Sequence, residues 1–452
     1  MRKLLIRAGM SPFDSLDASQ IIFNNTIGGN VGNLVYQYSV YRTLMTEETT
    51  ITPDYYDVNP RNAQYINENY DAYVIPLADA FRSSFIPALK KYTKLIKKLN
   101  IPVIVIGVGL RAPFEPKLRE GFPFDDDVKE FVKAVLEKSS MIGVRGEITS
   151  KYLSRLGFKE GIDHTVIGCP SMYAFGSELK IKEANINKDS LICVNSSKLS
   201  QGNVLEFIAR SMRDYPNHYF IPQWLKELVL GYAGGPPLDK PKNNYPCSIS
   251  DPVYRNDRVR FFLNVPTWLD FLSKADLSVG ARLHGNITAT LAGTPSIILP
   301  KDARMRELTE YHGLTHVWWN DISENTHLED LVEKVDFQSP TKKQETNFTH
   351  FIDFLNKNNL EHIYIKGESS KTPFDNQVKN IEYKKPVKPI TSCSGEELVE
   401  RFKSYYPMVE EVKELQSEVK KKNRQIEHLK GTLNRKSVRA ALRAAKLFEK
   451  KR

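Results

Sequence analysis

The sequence is poor in the features that staple small secreted proteins or anchor membrane ones. Its 452 residues include four cysteines, Cys169, Cys193, Cys247 and Cys393, with no CxxC pair. That spacing excludes a zinc knuckle and a disulfide framework and points to a reducing compartment. No apolar run approaches the length that spans a bilayer, and the opening Met1-Arg2-Lys3-Leu4-Leu5-Ile6-Arg7 is far shorter than a signal-peptide core. A cytoplasmic protein is expected. The body also lacks an excess of either charge: 16 Lys or Arg and 6 Glu within residues 401–452 account for the whole net charge of +10, which leaves residues 1–400 balanced. A basic face for nucleic acid is therefore not expected on the body. Metal ligands are not clustered either. Asp125-Asp126-Asp127 reads as the acidic first turn of a helix, since carboxylates there oppose the helix dipole, so neither a metal nor a cofactor is expected.

What is present is globular composition, 41% hydrophobic and 10% aromatic, in a chain long enough for two domains and a tail. Residues 20–175 alternate apolar runs with amphipathic stretches. Ile21-Ile22-Phe23, read as a strand, leads into Gly28-Gly29-Asn30-Val31-Gly32-Asn33 and a helical pattern through Leu44. Ala72 to Leu77 and Pro102 to Leu110 read as buried strands, Phe124 to Leu136 and Glu147 to Leu156 as helices. After the polar stretch Ser177 to Asp189 the alternation restarts. Strands are expected at Leu191 to Val194, His218 to Ile221, Arg260 to Leu263, Leu277 to Val279 and Pro295 to Leu299, with helices at Gln201 to Arg213, Thr267 to Ala275, Asn286 to Leu291 and Arg304 to Tyr311. The fold class is α/β, two Rossmann-like domains with parallel sheets followed by a helical coiled-coil tail. The expected division is 1–180, 181–365, a linker at 366–400 and the tail at 401–452. Gly231 to Asn256, rich in Gly, Pro and Asn, reads as a long surface loop that could cover a cleft.

In the tail, Met408, Val412, Leu415, Val419, Ile426, Leu429 and Leu433 occupy a and d positions of one heptad register, interrupted by Lys422. A homo-oligomeric coiled coil is expected, of undetermined strand number. The last residues place Val438, Ala441, Leu442, Ala445 and Phe448 on one helical face and Arg439, Arg443, Lys446 and Lys450 on another. Two readings stand side by side: a helix lying on an anionic membrane surface, peripheral on the inner face of the plasma membrane, or a solvated helix end.

The chemistry is concentrated at strand-to-helix turns. Arg282-Leu283-His284-Gly285 puts a permanent cation and a titratable proton donor where an open α/β sheet binds anions, with Gly285 where a larger residue would block close approach. Arginine matches phosphate or carboxylate with its planar fork, and histidine can deliver a proton near neutral pH. Arg145 occupies the analogous place after Met141 to Val144, either facing Arg282 across a cleft or paired with Glu147 or a domain neighbour. Gly29, Asn30, Gly32 and Asn33 form either a ligand-approach turn or a plain tight turn. Lys301 to Glu307 lies close in sequence to the Arg282 turn and could add cations, Arg304 among them. An Asp302 cap and a solvated helical turn compete with that reading.

The string Ser278-Val279-Gly280-Ala281-Arg282-Leu283-His284-Gly285-Asn286, continued by Ala289, Gly293-Thr294-Pro295 and Asp302-x-Arg304, resembles the C-terminal signature of the polysaccharide pyruvyl transferase family. The Gly29-Asn30-x-Gly32 turn, the strand Pro102 to Gly109, and Val144-Arg145 followed by Gly168-x-Pro170 agree in order, so the resemblance covers roughly residues 20–360. It implies a fold resembling the GT-B glycosyltransferases and phosphoenolpyruvate as donor and co-substrate. It also implies as acceptor a sugar of a cell-surface polysaccharide or its lipid-linked precursor, and a cyclic pyruvate ketal as product. By motif position Arg145, Arg282, Leu283 and Arg304 would serve the donor, His284 would be the general acid, and the Gly29 to Asn33 turn would face the acceptor or the cleft. Two departures are visible: Asn33 and Cys169 each stand where the family commonly has Asp. The competing readings are a nucleotide-sugar glycosyltransferase of GT-B type and a non-catalytic, membrane-tethered scaffold of glycan assembly.

Overall fold

The computed structural model describes residues 1–367 and 372–441. They fall into two compact units, Met1–Ser392 and Cys393 onward. The first unit holds two parallel four-stranded sheets. One comprises β1 (Arg2–Ile6), β2 (Thr49–Pro53), β3 (Ala72–Pro76) and β4 (Val103–Ile106), in spatial order β2-β1-β3-β4. A short parallel pair, β5 (Ile142–Val144) with β6 (His164–Val166), continues it through a bridge between Val108 and Val144. The other sheet comprises β7 (Ile192–Asn195), β8 (His218–Phe220), β9 (Leu277–Gly280) and β10 (Ser296–Ile298), in order β10-β9-β7-β8. The central strands are near-continuous apolar runs because helices cover both faces: every residue of β3, β4, β7 and β9 is buried, whereas the edge strand β2 is exposed in part.

Strand order places the chemistry. In the first sheet the chain steps from β1 to β2 on one side and to β3 on the other. In the second it steps from β7 to β8 on one side and to β9 on the other. Open α/β sheets bind ligands at such reversals, just beyond the strands' carboxyl ends. Those ends carry Arg7 after β1, Asp79 and Arg82 after β3, Asn195 closing β7, and Arg282 after β9. The helix Gly32–Leu44 is buried on nearly every side, and its Tyr36 hydroxyl donates to the Ile106 carbonyl at 2.5 Å.

Four expectations are corrected. Ile21 to Phe23 lies in a helix, Ala18–Asn24, whose N-cap Asp17 forms a capping box with Gln20; the strand that opens the sheet is Arg2–Ile6. Arg260 to Leu263 is not a strand. Val259 and Phe261 make single bridges, and the chain turns at once into the helix Val265–Ser273, capped by Asn264. Gly231 to Asn256 is anchored rather than a free cover: Leu238, Tyr245, Cys247, Val253 and Tyr254 form a small apolar core with Phe220 and Leu230. The polar stretch read as a linker packs onto the body over residues 372–392. Phe374 is fully buried against Phe13 and Tyr38, Asp375 pairs with Arg42 at 2.7 Å, and Val387 exchanges both backbone hydrogen bonds with Phe261.

The second unit holds a long helix, Gly395–Leu433, opened by a Ser394 and Glu397 capping box. Val412, Leu415, Val419, Ile426, Leu429 and Leu433 are exposed along it. Residues Leu442, Arg443, Ala445, Lys446, Phe448 and Lys450 of the expected amphipathic end lie outside the described residues. Among the described residues no helix is long and apolar enough to cross a membrane.

Candidate active site

A cavity of about 350 Å³ opens beside the strand ends of both sheets. Six cations line it: Arg7, Arg82, Arg111, Arg282, Lys301 and Arg304. Asp79, Asp302 and His284 also line it, as do Gly28, Gly29, Asn30 and Asn33 from the glycine turn. Two carboxylates against five arginines alone leave the hollow strongly positive, and a hollow of this size suits a small polyanion.

Arg282 is held from three directions. It is the N-cap of the helix Leu283–Leu291, and its amide donates to Asn195 Oδ1 at 2.8 Å. Its Nε donates to the Ser196 carbonyl at 2.6 Å, and its guanidinium lies 3.8 Å from the centroid of the Trp224 ring, with Glu227 at 3.5 Å. The Asn195 bond depends on Gly280, at φ +153°, where any Cβ would lie 1.7 Å from the Asn195 carbonyl oxygen. Trp224 in turn is tied to the glycine turn: the Val31 amide donates to the Gln223 carbonyl and the Leu225 amide to the Gly29 carbonyl. The two halves of the unit therefore meet at the site through backbone hydrogen bonds.

His284 sits in the first turn of that helix and is buried, its Nε2 3.7 Å from Cys169 Sγ and its ring against Gly32. A Cβ at position 32 would come within 2.6 Å of His284 Nδ1, so only glycine fits this face of the turn. Burial first, then Arg145 and Arg304, hold the imidazole well below its ordinary pKa, with Asp79 pulling the other way. That shift favours the neutral imidazole at pH 7.

Lys301 donates to the Ala281 carbonyl at 3.1 Å, and burial together with Arg282, Arg304 and Arg111 pushes its ammonium well below the usual lysine range against the pull of Asp302. Asp79 binds Arg82 at 2.7 Å with Arg111 and Arg304 at 3.8 Å. Burial alone would raise its carboxyl, but Arg304, Arg82 and Arg111 hold it below the usual range. Asp302 caps its helix through the Met305 amide at 2.9 Å, while Lys301 and Arg304 line the cavity beside it. Among the described residues no group of three or more His, Cys, Asp or Glu is arranged to hold a metal ion.

Arg282, His284, Arg304, Gly29, Asn30 and Asn33 thus come together around one cavity, with Gly32 packed behind His284. Leu283 is buried in the helix and does not line it. Arg145, read as a clamp facing Arg282, is fully buried and does not line the cavity. Its Nε donates to the Gly107 carbonyl at 2.8 Å, its guanidinium lies over the Tyr36 ring, and its two terminal nitrogens make no hydrogen bond among the described residues. Its charge is among the causes that lower the His284 pKa. Behind it, Glu307 accepts from the Thr149 amide and hydroxyl, both at 2.8 Å, and burial pushes its carboxyl up to about 7. The two departures have local explanations. Asn33 donates from Nδ2 to the Ile27 carbonyl, a bond a carboxylate cannot make, and Cys169 fills the space beside His284 with a thiol.

Arg7, Asp79, Arg82, Arg111, Trp224 and Glu227 were not singled out from sequence. Arg7, Asp79, Arg82 and Arg111 follow the carboxyl ends of parallel strands, a signal available once strand order is known; Trp224 and Glu227 carry no comparable mark.

A family model described as Polysaccharide pyruvyl transferase matches residues 34–302. No curated protein matches the chain. Among solved structures, the UDP-GlcNAc 2-epimerase of Methanocaldococcus jannaschii in complex with UDP-GlcNAc and UDP is 14% identical, with 79% of this chain and 99% of that chain covered and a TM-score of 0.44. Sucrose-phosphate synthase from Thermosynechococcus elongatus is 13% identical (79% and 95% covered, TM-score 0.37). The glycosyltransferase SnogD from Streptomyces nogalater is 12% identical (77% and 95% covered, TM-score 0.32).

Proposed function

Because this chain belongs to the polysaccharide pyruvyl transferase family, an enzyme family, we propose that it transfers pyruvate from phosphoenolpyruvate to a saccharide as a cyclic ketal. The observation that carries the reading is the convergence of Arg282, Lys301, Arg304 and His284 on one small positive cavity. Phosphoenolpyruvate is a compact trianion; the cations would take its phosphate and carboxylate, with the helix that starts at Leu283 adding its positive end. Its arrival would raise the proton affinity of His284, since an anion beside an imidazole favours the charged form. His284 then gives the methylene carbon a proton. One acceptor hydroxyl attacks the resulting oxocarbenium-like carbon, and attack by a second expels phosphate and closes the ketal. Arginines placed before the reaction neutralise the leaving phosphate without reorganising.

The test pairs calorimetry of phosphoenolpyruvate binding with mass spectrometry of p-nitrophenyl hexopyranosides, free at the 4- and 6-hydroxyls, after incubation with enzyme and donor. Binding and a ketal mass shift are expected, both lost in Arg282→Lys, because lysine cannot reproduce the fork that bridges two anionic oxygens. His284→Ala should keep binding and lose turnover. Stabilisation by a nucleotide sugar with none by phosphoenolpyruvate would reverse the assignment in favour of glycosyl transfer.

The tail we assign to self-association through its exposed a and d residues, with the basic end on an anionic membrane surface, which would bring the enzyme to a lipid-linked glycan at the inner face of the plasma membrane. A chain ending at Ser392 that sediments as the full-length species does would remove the first role. Equal binding of both chains to anionic vesicles would remove the second.

A further inference from the structure

The cavity of the preceding subsections shares part of its lining with a second hollow. An outer groove of about 690 Å³ is lined by Ser83, Ser84, Pro113, Phe122, Pro123 and Phe124. Arg82, Arg111, Leu199, Lys301 and Asp302 line both hollows and form the seam between them. Nothing in the chemistry of the donor requires this extension.

We propose that the outer groove is the acceptor subsite, built for a saccharide of at least two sugar rings that offers its terminal diol at the Lys301 and Arg111 seam. The inference rests on the pyruvyl transfer proposed above. Three observations carry it. Position is the first: the groove shares Arg82, Arg111, Leu199, Lys301 and Asp302 with the inner cavity, whereas His284 lines the inner cavity alone, so an acceptor in the groove lies next to the donor without occupying its place. Surface chemistry is the second. Phe122 is partly exposed, and the buried Phe124 stacked on it at 5.2 Å and Tyr152 met edge-on hold its ring rigid beside the hydroxyls of Ser83 and Ser84. A pyranose needs that combination, an aromatic surface for its C–H face and hydrogen-bonding groups for its hydroxyls. Of the seam cations, Arg82 is committed to Asp79 and to Ser84 Oγ at 3.1 Å, whereas Arg111 is 45% exposed and 3.8 Å from Asp79, free to turn toward an acceptor. Size is the third. The groove has nearly twice the volume of the inner hollow, room for more than one ring.

The experiment uses the full chain, with p-nitrophenyl glucoside and galactoside against p-nitrophenyl maltoside and lactoside as probes. Ser83 is exposed and lines the groove but not the inner cavity, so Ser83→Trp fills the groove without touching the donor site. The expected result is a lower KM for the disaccharide glycosides in the wild type. In Ser83→Trp their KM should rise about tenfold or more while the dissociation constant of phosphoenolpyruvate stays within about twofold. Pro123→Trp, a second exposed position on the groove alone, should act the same way. Wild-type KM in both folded variants overturns the assignment, and equal KM for one-ring and two-ring glycosides overturns its length. Donor binding with no glycoside bound or converted counts against this groove; absence of donor binding counts instead against pyruvyl transfer.

Discussion

The Arg282 guanidinium lies over the Trp224 indole, 3.8 Å from the ring centroid, and Trp224 sits in the segment that is hydrogen-bonded to the glycine turn of the other half. The cation that would take the donor is therefore aimed by a residue whose own place depends on backbone contacts made with Gly29 and Val31.

Removing that platform should loosen the cation without unfolding the protein. Trp224→Leu is expected to weaken phosphoenolpyruvate binding by roughly 5- to 30-fold, the size of a desolvated cation–π contact of about 1–2 kcal/mol. Calorimetry at constant ionic strength measures it. Unchanged affinity would show that Ser196 and Asn195 suffice to aim Arg282.

Gly32→Ala tests how closely His284 is set. The added methyl would meet Nδ1 at 2.6 Å and must displace the ring. Turnover should fall about 100-fold with donor binding altered much less, since the general acid moves while the cations stay. A variant with wild-type kcat would mean that the ring's position does not limit the reaction.

Donor binding should take up a proton. The free His284 imidazole is held well below its ordinary pKa and is neutral at pH 7; a bound trianion shifts it upward, so uptake is positive at neutral pH and fades as pH falls through the free enzyme's value. Calorimetry in buffers of different ionisation enthalpy reads it directly. Uptake undiminished in His284→Gln would assign the proton elsewhere.

Glu307 should make the fold less stable as pH rises. Its carboxyl is pushed up to about 7 in the folded state from about 4.5, so the native protein binds more protons, and stability present at low pH is lost between about 4.5 and 7. Glu307→Gln keeps the shape without the charge. It should flatten this slope and be more stable than wild type at pH 8 by on the order of 3 kcal/mol. Urea denaturation at pH 5 and pH 8 decides; a wild-type slope in the variant would show that Arg145, beside it, compensates the charge in full.

Much of the fold was legible because its period is local. Buried parallel strands such as Ala72–Pro76 and Leu277–Gly280 announce themselves as short apolar runs, and helices such as Asp125–Leu136 carry their own first-turn carboxylates. Ile21 to Phe23 misled because three apolar residues fit a strand or one helical face equally; Asp17 and Gln20, outside the run, decided it. Residues 372–392 misled for the opposite reason. One buried phenylalanine, one ion pair and one backbone bridge anchor a stretch whose composition is a linker's.

For the site, the sequence by itself determined Arg282 and His284, because a strand, a turn and a helix start within a dozen residues fix where those side chains begin. Only the tertiary structure decided which partners surround them. It brought Arg7, Asp79 and Arg111 from the first sheet to the same cavity and set Trp224 under Arg282. It also buried Arg145 away from the cavity lining, its guanidinium over the Tyr36 ring. Strand order and the facing of two sheets are long-range choices, settled by how the apolar faces of both halves pack, and no local pattern encodes them.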